Sequence, residues 1–487
     1  MSYIGRQLNV PASTVQLTAE GAITAGKPCI IEADGDVTEV SGSSGSQGAG
    51  SDVVFEADGL EYASPVYDTN AQKVVIAYQD AGNSSYGTAI VGTVSGSSIS
   101  FGTPVVFNSG SSLFINTAYD TNAQKIVVSY RDAGNSNYGA AIVGTVSGTS
   151  ISFGSETVFS GSSVANYNAI AYDANAQKVV VAYQDDNNSG YGTAIVGTVS
   201  GTGISFGSAT VFESASSAYV KITYDASAQK VVVAYQDGAN SNYGTAIVGT
   251  VSGTSISFGT AVVVQGSGSS YDHHDLAYHE SAQKVVFAYA DVGNSTRGTG
   301  VVGTVSGTSI SFGSEVVFET GTTYNIGVGY HALAEEMVIV YRDNGNSDQG
   351  TAVVGTVSGT SISFNTPDTY GSTAADNTVV YDASAERMVI AYRDYGDSSK
   401  GTALTYQITF SATNLTTENY IGFAENDCTD NGLATIQLGG SVNDKQTSLT
   451  AGQTYFVQGD GTIGLTADSP SVTAGTAVSS TEILVKG

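Results

Sequence analysis

From Lys73 to Asp80 the chain reads Lys-Val-Val-Ile-Ala-Tyr-Gln-Asp, an apolar run between polar ends. Its β-branched and aromatic residues are those that strands prefer. A polar turn precedes it, and the Gly/Asn/Ser stretch Ala81–Tyr86 follows it. Two further alternating runs come next, Gly87–Ser95 and Ser98–Phe107, split by Ser95-Gly96-Ser97, whose residue types suit a hairpin. With the short run Tyr62–Asp68 before it, this pattern predicts four antiparallel strands. Nowhere in it does the apolar spacing follow a helical period.

The whole pattern recurs seven times. The tyrosine that opens each copy stands at Tyr67, Tyr119, Tyr172, Tyr224, Tyr278, Tyr330 and Tyr381, at intervals of 52, 53, 52, 54, 52 and 51 residues. Four strands in a unit of about 50 residues is the signature of a β-propeller blade. Copies one to six end in an outer strand such as Ser314–Glu319, and the seventh lacks it. The matching phrase Ser51–Glu56 stands ahead of the first copy. The expected fold is therefore all-β: a seven-bladed propeller at 51–411, its seventh blade closed by the N-terminal strand so that no sheet edge stays open.

The flanks read differently. Residues 1–40 hold a strand–turn–strand pattern, 41–50 are Gly/Ser-rich and read as a flexible linker, and 412–487 hold several short strands. One small β-domain built from both flanks is expected, with separate N- and C-terminal modules as the alternative. Cys29 and Cys428 fall in these flanks and read as two unrelated thiols, although packed flanks could bring them together.

The chain carries 44 acidic and 16 basic residues, a net charge of −28, spread along the repeats. Nucleic acid and an anionic membrane surface are disfavoured as partners; solubility is the plain explanation. No apolar run is long enough to span a bilayer as a helix. The start, Met1–Gln7, lacks the apolar segment of a signal peptide, so synthesis in the cytoplasm of a host is expected.

The opening Ser2-Tyr3-Ile4-Gly5-Arg6 resembles the start of virion structural and tail-fibre proteins of marine tailed bacteriophages. The phrases Asn419–Ala424, Leu449–Tyr455 and Ala474–Val478 are similar to terminal β-modules on such proteins. The resemblance implies a virion location, as tail fibre or capsid decoration. It also implies contacts with other virion proteins through the flanking β-domain, and host-surface glycans as ligands. A homo-oligomer is expected for either placement.

Candidate chemistry is sparse. Sialidase-like propellers carry an arginine triad, and here arginine follows the second tyrosine in three copies, at Arg131, Arg342 and Arg393. Gln79, Gln184, Gln236 and Ala290 hold that position elsewhere, which reads as blade variation. No enzymatic activity is expected. The alternative is a secreted bacterial glycan-binding lectin or a glycoside-hydrolase-like propeller. The loop after the second strand repeats Asp80, Asp132, Asp185, Asp237, Asp291, Asp343 and Asp394. These acids could ligate Ca²⁺, but turn capping is the favoured reading; no other cofactor is implied. His279 and His331 replace an aspartate in neighbouring copies, as a two-histidine metal site or as turn residues. The residue opening the third strand varies: Tyr86, Tyr138, Tyr191, Tyr243, Arg297, Gln349 and Lys400. With the variable connections Asn108–Phe114, Ser160–Tyr167, Glu213–Tyr219, Gln265–Asp275, Glu319–Tyr324 and Gly371–Asn377, these form the expected ligand-binding face.

Overall fold

The computed structural model describes residues 13–45, 47–265, 273–408, 410–459, 461–467 and 470–486. The opening phrase Ser2–Arg6 and residues 266–272 of one variable connection lie outside them. The chain divides into two units, Gln47–Ile408 and a unit drawn from Met1–Ser46 with Thr409–Gly487. Among the described residues no helix is long and apolar enough to cross a membrane.

The protein is all-β. Each repeat forms antiparallel strands in the predicted order. In the first, Leu60–Asp68 pairs with Lys73–Asp80, and that strand with Tyr86–Ser95. The fourth strand comes in two pieces: Ser98–Phe101 pairs with the far half of Tyr86–Ser95, and Val105 onward with the near half.

The repeats do not separate into isolated four-stranded sheets. The strand Val105–Asp120 edges the first unit and then continues as the innermost strand of the second. Thr210–Asp225, Val316–His331 and Asp368–Asp382 do the same. Among the described residues, sheets of nine, nine and thirteen strands result. Four of the six variable connections, Asn108–Phe114, Glu213–Tyr219, Glu319–Tyr324 and Gly371–Asn377, are therefore strand, because their backbone can pair with both neighbours.

Adjacent units pack face to face through the buried runs. Val180, Val196, Phe212 and Tyr235 share one cluster across the third and fourth units. Phe55, Tyr78 and Ile90 share another with Val389, Ala391 and Ala403 of the seventh. Val53–Glu56 pairs with Lys400–Gln407, the third strand of unit seven. A tyrosine hydroxyl links neighbours by accepting from a turn amide. Tyr119 Oη accepts from Asn70 N at 3.3 Å, Tyr172 from Asn122 at 3.3 Å and Tyr224 from Asn175 at 3.2 Å. Tyr67 of the first unit accepts in the same way from Ser384 N of the seventh, at 3.1 Å.

The Gly/Ser stretch read as a flexible linker is paired strand instead. Gly42–Gly45 runs against Phe410–Thr413, and Gly48–Ala49 against Gln407 and Tyr406. A backbone ladder needs no side chains, so a Gly/Ser composition does not prevent it. In the flanking unit, Thr14–Thr18 pairs with Leu433–Gln437 and Pro28–Ile31 with Tyr420–Ala424. A second five-stranded sheet comes from the C-terminal flank. Ile30, Phe423, Tyr455 and Ile483 share the unit's main core. Cys29 and Cys428 are both free thiols. Burial pushes Cys29 up to about 12.

Candidate functional site

A cavity of about 440 Å³ is lined by the first strand of every one of the seven units. A β-bulge places its lining. In unit one the register passes from Glu61↔Gln79 to Ser64↔Ala77, so two residues oppose Tyr78 alone. Tyr62 takes φ +51° there, and the same left-handed backbone recurs at Phe114, Tyr167, Tyr219, Asn325 and Asp376. Such a conformation costs a non-glycine residue about 1 kcal/mol or more, and it clusters at functional sites.

These bulge positions differ around the cavity. Units one to four supply Tyr62, Phe114, Tyr167 and Tyr219 as a continuous aromatic arc, with ring centroids 5.3, 5.0 and 4.7 Å apart. The equivalent positions of units five to seven are His273, Asn325 and Asp376. Asn325 N donates to His273 Nδ1 at 3.4 Å, and its side-chain amide reaches Asp376 Oδ1 at 3.5 Å. Arg393 then joins the two ends of the series, 3.1 Å from Asp376 and 3.3 Å from Glu61. Burial raises the Asp376 carboxyl and Arg393 opposes the shift. Further in, Lys221 lies 3.6 Å from Asp275. The cavity thus offers flat apolar rings on one side and hydrogen-bonding groups on the other, the make-up of a small-molecule site.

The seven residues expected to bind ligand from the loop face are not among its lining. Tyr86, Tyr138, Tyr191, Tyr243, Arg297, Gln349 and Lys400 are half-buried, each paired across from the aspartate that ends the second strand. Those aspartates serve the turn. Asp80 accepts from Asn83 N at 2.9 Å, Asp132 from Gly134 N at 2.9 Å, and Asp394 from Gly396 N at 2.8 Å. Asp185, Asp237 and Asp343 cap in the same way, and Asp291 holds the equivalent place. Among the described residues no three His, Cys, Asp or Glu side chains gather as metal ligands.

The arginines do not converge either. Arg131 lies over the Phe114 ring, 5.0 Å from its centroid. Arg342 makes a two-point pair with Asp348 at 2.8 and 2.9 Å. Arg393 holds Asp376 and Glu61.

His279 and His331 do the work of the aspartates they replace. In unit one Ala71 N donates to Asp68 Oδ1 at 2.8 Å; in units five and six Ala282 N and Ala334 N donate to the histidine Nδ1 at 3.2 and 3.1 Å. Each imidazole therefore holds its own turn. An accepting Nδ1 requires the neutral ring, and burial pushes His331 down to about 4. The unfolded chain, with an ordinary value near 6.5, binds more protons between these limits. Stability present above pH 6.5 is thus lost as pH falls toward 4. His331→Asn keeps an acceptor that does not titrate. Its unfolding free energy should fall less than that of the parent between pH 7 and 4.5, by about 2 kcal/mol. Parallel curves for the two proteins would contradict this.

The mouth residues were missed by single-motif reading, though Phe114, Tyr167, Tyr219 and His273 lie in the connections singled out as variable. Counting five residues back from each repeat tyrosine gives Tyr, Phe, Tyr, Tyr, His, Asn, Asp, and that column marks the site.

No family model matches the chain, and no curated protein matches it. Solved structures do. The BP39L lectin of Burkholderia pseudomallei aligns at 8% identity with a TM-score of 0.53, over 74% of this chain and 100% of its own. The Cps50 (Swd1) β-propeller domain of Myceliophteria thermophila aligns at 8% identity and 0.45, over 72% and 99%. An intramolecular trans-sialidase from Ruminococcus gnavus aligns at 10% identity and 0.43, over 73% and 95%. The repeat region is thus all-β, with a lectin and a β-propeller domain among its structural neighbours. The expectation of no enzymatic activity is corrected by these neighbours: trans-sialidases are among them, so the fold does not set catalysis aside.

Proposed function

We propose that the repeat region is a closed seven-bladed propeller whose central mouth binds a saccharide. Closure is supported by Val53–Glu56 completing the seventh unit and by the Tyr67–Ser384 link repeating the bond made between other neighbours. The carrying observation for binding is the bulge column: four adjoining aromatic rings face His273, Asn325 and Asp376 across one cavity. Sugars present an apolar C–H face and a hydroxyl edge, and this mouth has a counterpart for each. The likeness to a lectin is one of fold, and the reading rests on the mouth.

Glycan-array screening of the full chain, followed by calorimetry on the best binder, tests it. Tyr167 sits at the middle of the arc, and Tyr167→Ala should weaken binding about tenfold through lost ring contact. Binding that survives Tyr167→Ala but fails in Tyr86→Ala would move the site to the loop face. A place on a bacteriophage particle, as tail fibre or capsid decoration, is a setting we propose from the terminal phrases alone. Immunogold labelling of purified particles tests it.

A further inference from the structure

Resting on that reading, we infer that the mouth selects neutral saccharides, with hydroxyl groups seated on Asp376 and Asn325, and rejects acidic ones. Among the described residues, two cations at the mouth, Lys221 and Arg393, are already matched by acids. Lys221 faces Asp275 at 3.6 Å, and Arg393 is divided between Glu61 and Asp376 at 3.3 and 3.1 Å. Arg342, nearby on Tyr395, is held by both oxygens of Asp348. A ligand carboxylate would have to displace a protein carboxylate from one of these cations and then lie beside it. The net charge of −28 adds a repulsive field at longer range.

Hydroxyl groups meet no such competition. An ionised carboxylate accepts at about four lone-pair positions, and Arg393 with the Asn325 amide leaves part of that capacity at Asp376. Asn325 offers both a donor and an acceptor within reach of the same ligand edge. Asp376 and Asn325 are adjacent bulge residues, so two neighbouring hydroxyls of one ring could meet them together. The aromatic arc then takes the opposite, apolar face. Arg131 is the cation that an acidic sugar would use instead. It lies on Phe114 and donates to Asn166.

The experiment is an array of matched pairs, each a neutral glycan beside its sialylated or uronate form, probed with the full chain. Neutral members should bind at least tenfold more tightly than their acidic partners. Asp376→Asn, checked for a parental melting curve, should lose at least tenfold on the neutral member. Tighter binding of acidic members, abolished by Arg131→Gln, would overturn the inference while keeping the saccharide reading. Competition by choline with equal or greater strength than the neutral sugar would also overturn it, by making the arc a cation cage. No binding to either member would remove the saccharide reading itself.

Discussion

Phe55→Ala should lower the stability of the entire repeat region by about 3–4 kcal/mol, the cost of deleting a large buried aromatic. Phe55 is 7% exposed. Its ring lies 5.4 Å from Tyr78 of the first unit and 5.4 Å from Phe101, and it shares a cluster with Val389 and Ala403 of the seventh. The residue therefore bonds the two ends of the repeat series. In a closed ring, loosening that joint weakens every unit, and one cooperative transition should move to lower denaturant. In an open array stability is a sum of local terms, and only an early, partial phase would appear. Denaturant unfolding followed by tyrosine fluorescence separates the two outcomes, and a two-phase curve with an unmoved main transition would count against closure.

Gly207→Ala should cost about 3 kcal/mol, at the upper end for overpacking. A methyl group at Gly207 would fall on the carbonyl oxygen of Thr254, in the hairpin turn of the following unit. The obstacle is backbone, so no side-chain rotation relieves it. Gly207 is also fixed from behind, its amide donating to Val196 O at 2.9 Å. The same conflict stands at Gly102 with Thr149, Gly154 with Thr202, Gly259 with Thr308, and Gly313 with Thr360. Gly50 meets Ser97 of the first unit in the same way. Asn365 holds this place in the sixth unit, its amide donating to Val354 O. The seventh copy lacks the Ser-Gly-Thr turn that would face it. A side chain is found where the opposing turn is missing, as the steric argument requires. An unchanged midpoint for Gly207→Ala would refute it.

The strands and their order were legible because apolar runs such as Lys73–Asp80 and turns such as Ser95-Gly96-Ser97 repeat with a fixed period. The displaced strand Val53–Glu56 was legible for the same reason: a repeated series shows its own gap. The continuity of Val105–Asp120 was not legible. Its middle, Asn108–Ser112, has loop composition, and only pairing to two different partners makes it strand. The mouth was half-legible. Five of its seven bulge residues lie in segments marked as variable, but a bulge that turns Tyr62 or Asp376 toward a cavity depends on register, which side-chain types do not encode. That Asp80 and His331 could accept from turn amides was legible from local chemistry, and both do so.

The ladder Gly48–Ala49 against Tyr406–Gln407 places the entrance and the exit of the repeat region side by side, as neighbouring strands of one sheet. Topologically, everything between residues 50 and 405 is then one very long hairpin loop. A series with more or fewer repeats would present the same pair of strands. The number of repeats could change by duplication or deletion without altering the ends offered to the flanking sequence, so the repeat region can be exchanged as a cassette.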